Sequence, residues 1–464
     1  MTNSADLSGQ PAATASRRLP AFGWIMFDWA AQPFYTLVST FLFAPYFATA
    51  FIGDPVRGQA LWAYAAAVAG LAVAVLSPML GAVADRTGGL RRWIFWFSAV
   101  FVAAQAALWI AAPGAGPETL WIVLLAVVVA TMAGEFSAVF NNALMPAVVG
   151  PAGYGRLSGL GWAAGYVGGL IALVFMAGFI VTAPDTGKTL LGFDALIALD
   201  MAAREADRLV GPFSALWFVV FIIPFFLFTP DIPVKPGVRW RQAARDGLGD
   251  LAATLRNVRE HGDIIRFLIA RMLYTDGLSA IFIFGGIYAA ATFGWGGFAL
   301  GLFGIILSVA AAAGGFAGGF LDDRFGAKPV ILGALALLIA GVVGVLSIDR
   351  ESVLFGLAPA GAPVGVFGSV GEQLYLAFAV LIGVAAGPLQ ASSRSLLARM
   401  APPDRITEFF GLFAFSGKAT AFAAPLAIAA VTQATGSQRW GVAVTLLFLL
   451  AGGALMLGVK ERRA

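Results

Sequence analysis

Long apolar runs alternate with short polar connections from residue 21 to residue 458. Each run has roughly the 20 residues that an α-helix needs to cross a bilayer. The runs number twelve and cover 21–50, 60–83, 92–112, 119–145, 157–180, 211–229, 264–290, 298–320, 329–347, 373–392, 409–431 and 439–458. This pattern predicts an all-α polytopic membrane protein with twelve transmembrane helices, and the even number puts both termini on one side.

The polar connections differ in charge between the two sides. Those on the side of the termini carry 20 Lys and Arg residues, whereas those on the other side carry 6. Because basic residues accumulate in cytoplasmic connections, this distribution predicts that both termini are cytoplasmic. We expect five segments: a tail at 1–20, a six-helix half at 21–229, a linker at 230–263, a second half at 264–458 and a tail at 459–464. The Arg-rich, amphipathic linker is expected to lie along anionic lipid headgroups.

Composition excludes several classes of function. Hydrophobic residues make up 60% of the chain and charged residues 12%, about half the charged share of a soluble domain. Cysteine is absent, which removes disulfides, thiol catalysis and Cys metal sites. The net charge of +4 is explained by membrane topology and does not indicate nucleic-acid binding. No phosphate-binding G-x-x-x-x-G-K-[ST] loop is present, so we do not predict that ATP drives transport. We also predict no cofactor and no metal.

A short motif occurs once in each half of the chain. Residues 81–92 read GAVADRTGGLRR and residues 319–328 read GFLDDRFGAK, so both fit G-x-x-x-D-R-x-G followed by a basic residue. The motif resembles the cytoplasmic loop signature of the major facilitator superfamily, which joins helices 2 and 3 and helices 8 and 9. The resemblance implies a conformational latch, in which an aspartate at a helix end lies beside basic side chains on a glycine turn. Its six residues are Asp85, Arg86, Arg91, Asp323, Arg324 and Lys328.

Other positions repeat between the halves as well. Gly159 matches Gly411 and Gly165 matches Gly417, both 252 residues apart, and Asp28 matches Asp276 at a similar depth. Repeated halves predict two pseudo-symmetric six-helix bundles with a binding site between them near the midplane, as in the major facilitator fold.

Further stretches resemble a narrower branch, the autophagy-related vacuolar amino-acid effluxers and their bacterial relatives. These stretches are FDWA at 27–30, FNNALMP at 140–146, GRLSGLGWAAGYVGG at 155–169, SSRS at 392–395, EFFGL at 408–412 and SGKAT at 416–420. The resemblance implies amino-acid transport and a place in a bacterial plasma membrane. Pro33 departs from the family pattern and is expected to unwind the first helix locally.

Five ionisable residues fall inside the apolar runs. Each costs at least ~2.5 kcal/mol to insert, so each is a functional candidate. They are Asp28, Glu135, Arg271, Asp276 and Lys418. Asp28 binds a proton or substrate, or is a helix-end charge facing water. Glu135 is the leading candidate for a proton carrier, since a desolvated carboxyl can load and release protons near neutral pH; the alternative is a permanent partner for a cation such as Arg271 or Lys418.

Lys418 is interpreted either as the group that captures a substrate carboxylate or forms a switching ion pair, or as part of a fixed salt bridge. Arg271 and Asp276 lie five residues apart on one helix, so each is expected to pair across helices. Uncharged side chains suit hydrogen bonding to substrate, with contacts between helices as the alternative. The remaining predicted residues of the substrate or proton pathway are Gln32, Asn141, Asn142, Tyr166, Tyr274, Gln390 and Arg394.

Acidic and basic groups around one cavity favour a small zwitterion. We therefore predict a non-enzymatic secondary transporter that moves an amino acid or a similar solute by alternating access, coupled to protons. The expected partners are the small-molecule substrate, protons and membrane lipids, with no nucleic acid, and the protein is expected to be a monomer. The alternatives are an exporter of a drug-like or lipidic amphiphile, and a membrane sensor or assembly partner that transports nothing.

Overall fold

The computed structural model describes residues 18–182, 186–235, 237, 240–256, 261–361 and 365–461. Within these ranges lie twelve helical spans long and apolar enough to cross a membrane, which confirms the predicted number. They are α1 (Arg18–Phe51), α2 (Pro55–Thr87), α3 (Leu90–Ile110), α4 (Pro117–Ala143), α5 (Pro151–Phe179), α6 (Glu205–Phe228), α7 (Gly262–Phe293), α8 (Ala299–Phe325), α9 (Ala327–Leu346), α10 (Val370–Met400), α11 (Pro403–Thr435) and α12 (Gln438–Leu457). A further helix, Trp240–Arg256, lies between α6 and α7 and is called the linker helix.

Several helix ends differ from the prediction. The helix α10 continues to Met400, so Arg394 is part of a helix and not of a connection. Residues 18–20, predicted to belong to the tail, begin α1, and the rest of that tail lies outside the described residues. In the connection before α10, a two-stranded antiparallel hairpin pairs β1 (Ser352–Val353) with β2 (Ala358–Pro359).

The helices form two bundles, α1–α6 and α7–α12. Between the bundles, α5 packs against α8 and α2 packs against α11, which are equivalent pairs in the two halves. Gly159 of α5 faces α8, where an added Cβ would lie 2.5 Å from the Gly315 carbonyl oxygen. Gly411 of α11 faces α2, where a Cβ would collide with the backbone of Ser77 and Pro78. The two glycines matched in the sequence therefore permit the same close crossing between halves. The exact domain boundaries drawn from the sequence stay a prediction.

Both signature loops lie on one face of the molecule, which we call the terminal face. The start of α1 lies there, because a Cβ added to Gly23 would meet Thr229 after the end of α6. The end of α12 lies there as well, where Lys328 Nζ donates to the Leu457 carbonyl oxygen at 2.8 Å. Gly88, with φ +67°, packs against the Pro233 backbone, so a turn that favours glycine is also a site of close approach.

Two helices depart from regular winding. Beyond Pro33, α1 continues as a π-helix over Phe34–Phe41, so the proline widens the helix and does not unwind it. In α11, regular helix ends at Lys418 and resumes at Ala423. Pro425 explains this break, because it has no N–H for the carbonyl of residue 421 and its ring crowds that carbonyl.

Candidate substrate cavity and terminal gate

A polar cavity of about 360 Å³ lies between the two halves. Helical spacing aims its lining inward: Arg271, Thr275 and Ser279 follow one face of α7, and Gln390 and Arg394 follow one face of α10. The N-terminal half contributes Asp28, Gln32 and Tyr35 from α1, Glu135 and Asn142 from α4, and Trp162 from α5; α11 contributes Phe410, Phe413 and Lys418.

Charge in this cavity is divided between the halves. Both acidic residues, Asp28 and Glu135, belong to the N-terminal half, whereas the three basic residues belong to the C-terminal half. Two ion pairs connect the halves: Lys418 Nζ lies 2.9 Å from Glu135 Oε1, and Arg394 Nη1 lies 3.0 Å from Asp28 Oδ2. Any movement that separates the halves must therefore break or exchange these pairs.

Arg394 is held at more points than Lys418. It donates from Nε to the Ser158 hydroxyl at 2.8 Å, from Nη2 to the Ser158 carbonyl oxygen at 2.8 Å and from Nη1 to Asn142 Oδ1 at 3.2 Å. Its guanidinium also stacks over the Trp24 ring. Arg394 therefore joins α10 to α1, α4 and α5, while Lys418, a third exposed and with Glu135 as its ion-pair partner, is freer to exchange partners.

Arg271 is buried but lacks an acidic hydrogen-bond partner among the described residues. Its Nη1 donates to the Phe413 carbonyl oxygen at 2.7 Å and to the Ser416 hydroxyl at 2.9 Å, and its charge lies over the Phe413 ring. Its Nε has no hydrogen-bond partner. A charged donor of this kind at a cavity wall is suited to bind a carboxylate.

The structure brings eight of the twelve predicted pathway residues to the cavity and leaves four outside. Asn141 is fully buried and faces away, and its backbone oxygen accepts a hydrogen bond from Trp24 Nε1 at 2.7 Å. Tyr274 joins α7 to α10 through a 2.6 Å hydrogen bond to Ser393, which is the alternative role stated for it. Tyr166 lines a second, more apolar space beside the cavity, and Asp276 lies behind the α7 face that forms the cavity wall.

A larger apolar vestibule of about 680 Å³ lies next to the cavity. Gln32 and Tyr35 line both spaces and lie between them. The vestibule follows the π-helical part of α1 and is bordered by α5, α7 and α8, with side chains such as Leu170, Ile287 and Leu300. Sequence reasoning missed its residues because single apolar positions in a membrane helix carry no signal of which neighbour they face.

At the terminal face, the halves are joined by two matched contacts that we call the terminal gate. Asp85 of α2 accepts hydrogen bonds from the backbone N–H groups of Thr407 and Glu408 at 3.0 and 2.8 Å, at the start of α11. Asp323 of α8 accepts from the backbone N–H of Arg156 at 3.2 Å, near the start of α5. We expected basic side chains to hold these aspartates. For Asp85 the partner is instead the amide end of a helix from the other half, which favours an anion.

Of the other predicted latch residues, one contacts the linker helix and three make contacts within their own half. Arg86 forms a 2.5 Å ion pair with Asp250 of the linker helix, and Thr254 of that helix donates to Glu408 of α11. The linker helix therefore contacts both halves. Arg91 donates to the Phe226 carbonyl oxygen, Lys328 donates to carbonyl oxygens at and just beyond the end of α12, and Arg324 lies over the Phe325 ring.

One buried charge cluster beside the gate was not predicted. Asp322 is 1% exposed and lies 2.5 Å from Arg399, which also approaches Asp323 at 3.8 Å and Glu461 at 3.5 Å. The adjacent pair Asp322-Asp323 in the second motif, where the first has Ala84-Asp85, is the signal that points to it.

Two bundles of six helices around a charged cavity, closed at one face, define a membrane transporter of the major facilitator superfamily. The solved structures agree on the fold. The human organic anion transporter MFSD10 superposes with a TM-score of 0.68 at 14% identity, covering 96% of this chain and all of that one. The E. coli fucose:proton symporter FucP superposes with a TM-score of 0.70 at 13% identity, covering 97% of this chain and 99% of that one.

Within that class, the chain belongs to the Atg22-like vacuolar effluxer family, whose model matches residues 47–464. It is similar to YxiO of Bacillus subtilis (strain 168), an uncharacterised MFS-type transporter, with 24% identity over 445 residues and 94% of each chain covered. Autophagy-related protein 22 of Coccidioides immitis is 24% identical over 282 residues, which are 59% of this chain and 46% of the fungal protein. YxiO and both solved structures are transporters by name, and none of them is an enzyme.

Proposed function

We propose that the protein moves a small zwitterion of the amino-acid type across a bacterial plasma membrane, coupled to protons. The termini and the terminal gate are taken as cytoplasmic, so the conformation described here is closed at the cytoplasmic face. The observation that carries the substrate class is the division of charge in the cavity, acidic on the wall of one half and basic on the wall of the other.

A zwitterion fits both walls at once. Its ammonium group is placed against Asp28, and its carboxylate against Arg271 and Lys418, while Glu135 is protonated. In the structure the two walls pair with each other, so the substrate carboxylate takes the place of Glu135 beside Lys418, and the ammonium group joins Arg394 at Asp28. The volume of about 360 Å³ accommodates an amino acid with a few water molecules.

Proton coupling is assigned to the Glu135–Lys418 pair. Protonation of Glu135 removes its negative charge, so the pair no longer holds Lys418, and the lysine becomes free to bind the substrate carboxylate. Loss of the proton on the other side of the membrane restores the pair and displaces the substrate. Because Glu135 is on α4 and Lys418 is on α11, this exchange also changes the attraction between the halves.

A second candidate is export of an amphiphile with a charged headgroup. The vestibule favours it, because a space of about 680 Å³ lined mainly by apolar side chains suits an acyl or aromatic group beside the charged cavity.

The test is uptake of radiolabelled amino acids into proteoliposomes under an imposed pH gradient. We expect gradient-driven accumulation by the wild type and loss of at least tenfold in rate for Glu135→Gln and Lys418→Ala. Glu118→Gln, at the exposed start of the same helix α4, and Lys188→Ala, in an exposed loop, are the matched controls and should transport normally. If well-folded wild-type protein carries no amino acid in either gradient direction, the zwitterion assignment fails and the amphiphile becomes the leading candidate.

A further inference from the structure

A buried carboxylate lies behind the cavity wall without a hydrogen-bond partner. Asp276 is 1% exposed, and neither of its oxygens accepts a hydrogen bond from the described residues. It follows Thr275, which lines the cavity, by one position, so it points about 100° around α7 from the wall.

The surroundings of Asp276 on the side away from the cavity are apolar. One turn further along α7, Ala280 packs in a buried cluster with Ala424, Ile428 and Val444. A Cβ added to Gly277 would lie 3.1 Å from the Phe448 side chain, so α12 covers the helix closely at this level. An ionised carboxylate costs several kcal/mol in such a setting unless a positive charge compensates it, and Arg271, which acts on Asp276 electrostatically, donates no hydrogen bond to it.

The break in α11 approaches Asp276 through Thr420. The Thr420 hydroxyl lies beside the Asp276 carboxylate but outside hydrogen-bonding geometry, and it is itself buried without a hydrogen-bond partner. Around it, the N–H of Ala421 bonds to the Lys418 carbonyl at 3.4 Å and that of Ala423 to the Thr420 carbonyl at 2.7 Å. Because both bonds span three residues and not four, the carbonyls of residues 417 and 419 lose their regular helical donors.

We propose that Asp276, Thr420 and the broken segment 419–422 of α11 form a binding site for Na⁺, separate from the substrate cavity. Carboxylate, hydroxyl and backbone carbonyl oxygens are the ligands that a hard cation takes, and carbonyls freed at a broken membrane helix are a recurrent source of them. One carboxylate balances one positive charge, so the site matches a monovalent ion better than a divalent one. A proton would need only one of these oxygens.

The charge of Arg271 links this site to the cavity. Arg271 lies within the electrostatic reach of both Asp276 and Glu135, and it contributes to the cavity wall. Sodium at Asp276 neutralises one of the two acidic groups near Arg271, so more of the guanidinium charge is available to a substrate carboxylate. Sodium and an anionic group in the cavity therefore favour each other's binding. The coupling step rests on the proposed function, but the site itself does not.

The test is thermal unfolding of the purified full-length protein in detergent at pH 7.5, with NaCl replaced by KCl or choline chloride at constant ionic strength. We expect a saturable rise in Tm with Na⁺ alone. Asp276→Asn should abolish the rise, and Thr420→Ala should weaken the apparent Na⁺ affinity by about tenfold or more. Thr420→Ser keeps the hydroxyl and should retain the response, as should Asp194→Asn, an exposed loop control.

Equal effects of Na⁺, K⁺ and choline would overturn the proposal, as would a Na⁺ response that persists in Asp276→Asn. If the effect of Asp276 on the Tm changed with pH and not with Na⁺, the sodium assignment would be overturned and Asp276 would be identified as a proton site. Because no substrate is added, these outcomes are independent of whether amino-acid transport is observed.

Discussion

At the scale of single residues, pairing decides the role of each intramembrane charge. Glu135 and Lys418 form an ion pair between the halves, whereas Arg394 is fixed by Asp28, Asn142 and Ser158. Two acid–base pairs thus give one exchangeable pair and one fixed connection. The difference arises from the number of hydrogen-bond partners that each basic side chain has.

The exchangeable pair can be tested by a double-mutant cycle. Glu135→Gln or Lys418→Met alone leaves one partner uncompensated, so each should lower the free energy of unfolding by about 1 kcal/mol; the estimate is modest because Lys418 is 34% exposed. The double variant should recover most of this loss while transport stays abolished. Thermal unfolding of the four proteins measures the coupling, and strictly additive losses would contradict a direct interaction.

At the scale of helices, the gate depends on helix ends of one half being capped by residues of the other. Asp85 caps α11 from α2, and Asp323 approaches the start of α5 from α8. By contrast, Asp54 caps its own helix α2 at the opposite face, through the N–H groups of Val56 and Arg57. Both kinds of cap are hydrogen bonds from backbone N–H groups to a carboxylate. Only the caps between the halves must break when the halves separate at the terminal face.

Asp85→Ala should therefore shift the conformational equilibrium, whereas Asp54→Ala should not. Loss of the cap between the halves costs about 1–2 kcal/mol, which corresponds to roughly a 5–30-fold shift away from the state closed at the terminal face. Spin labels at Gly116→Cys and Gln438→Cys, both exposed on the opposite face, report the change as a shorter distance. Similar distance distributions for Asp85→Ala and the wild type would refute a gating role.

At the scale of the whole molecule, the charge distribution predicts that the termini are cytoplasmic, and the gate lies on the same face as the termini. The absence of cysteine makes this directly measurable, because each introduced thiol is the sole reactive site. Gly116 and Gly249 suit this purpose, since a side chain at either position meets open space.

In intact cells, an impermeant maleimide should label Gly116→Cys at once. It should label Gly249→Cys, on the linker helix, only after the membrane is made permeable. The reverse pattern would place the termini outside and exchange the two faces in the proposed transport cycle.

The sequence alone determined the number of helices, the duplication and the residue types of the cavity. Hydrophobic length and residue spacing are local properties, and eight predicted pathway residues do line one space. Only the tertiary structure decided which charges pair, because partners such as Asp28 and Arg394 are 366 residues apart and their meeting depends on how each helix is rotated. For the same reason it alone showed that Asp276 faces away from the cavity, toward Thr420 at the break in α11.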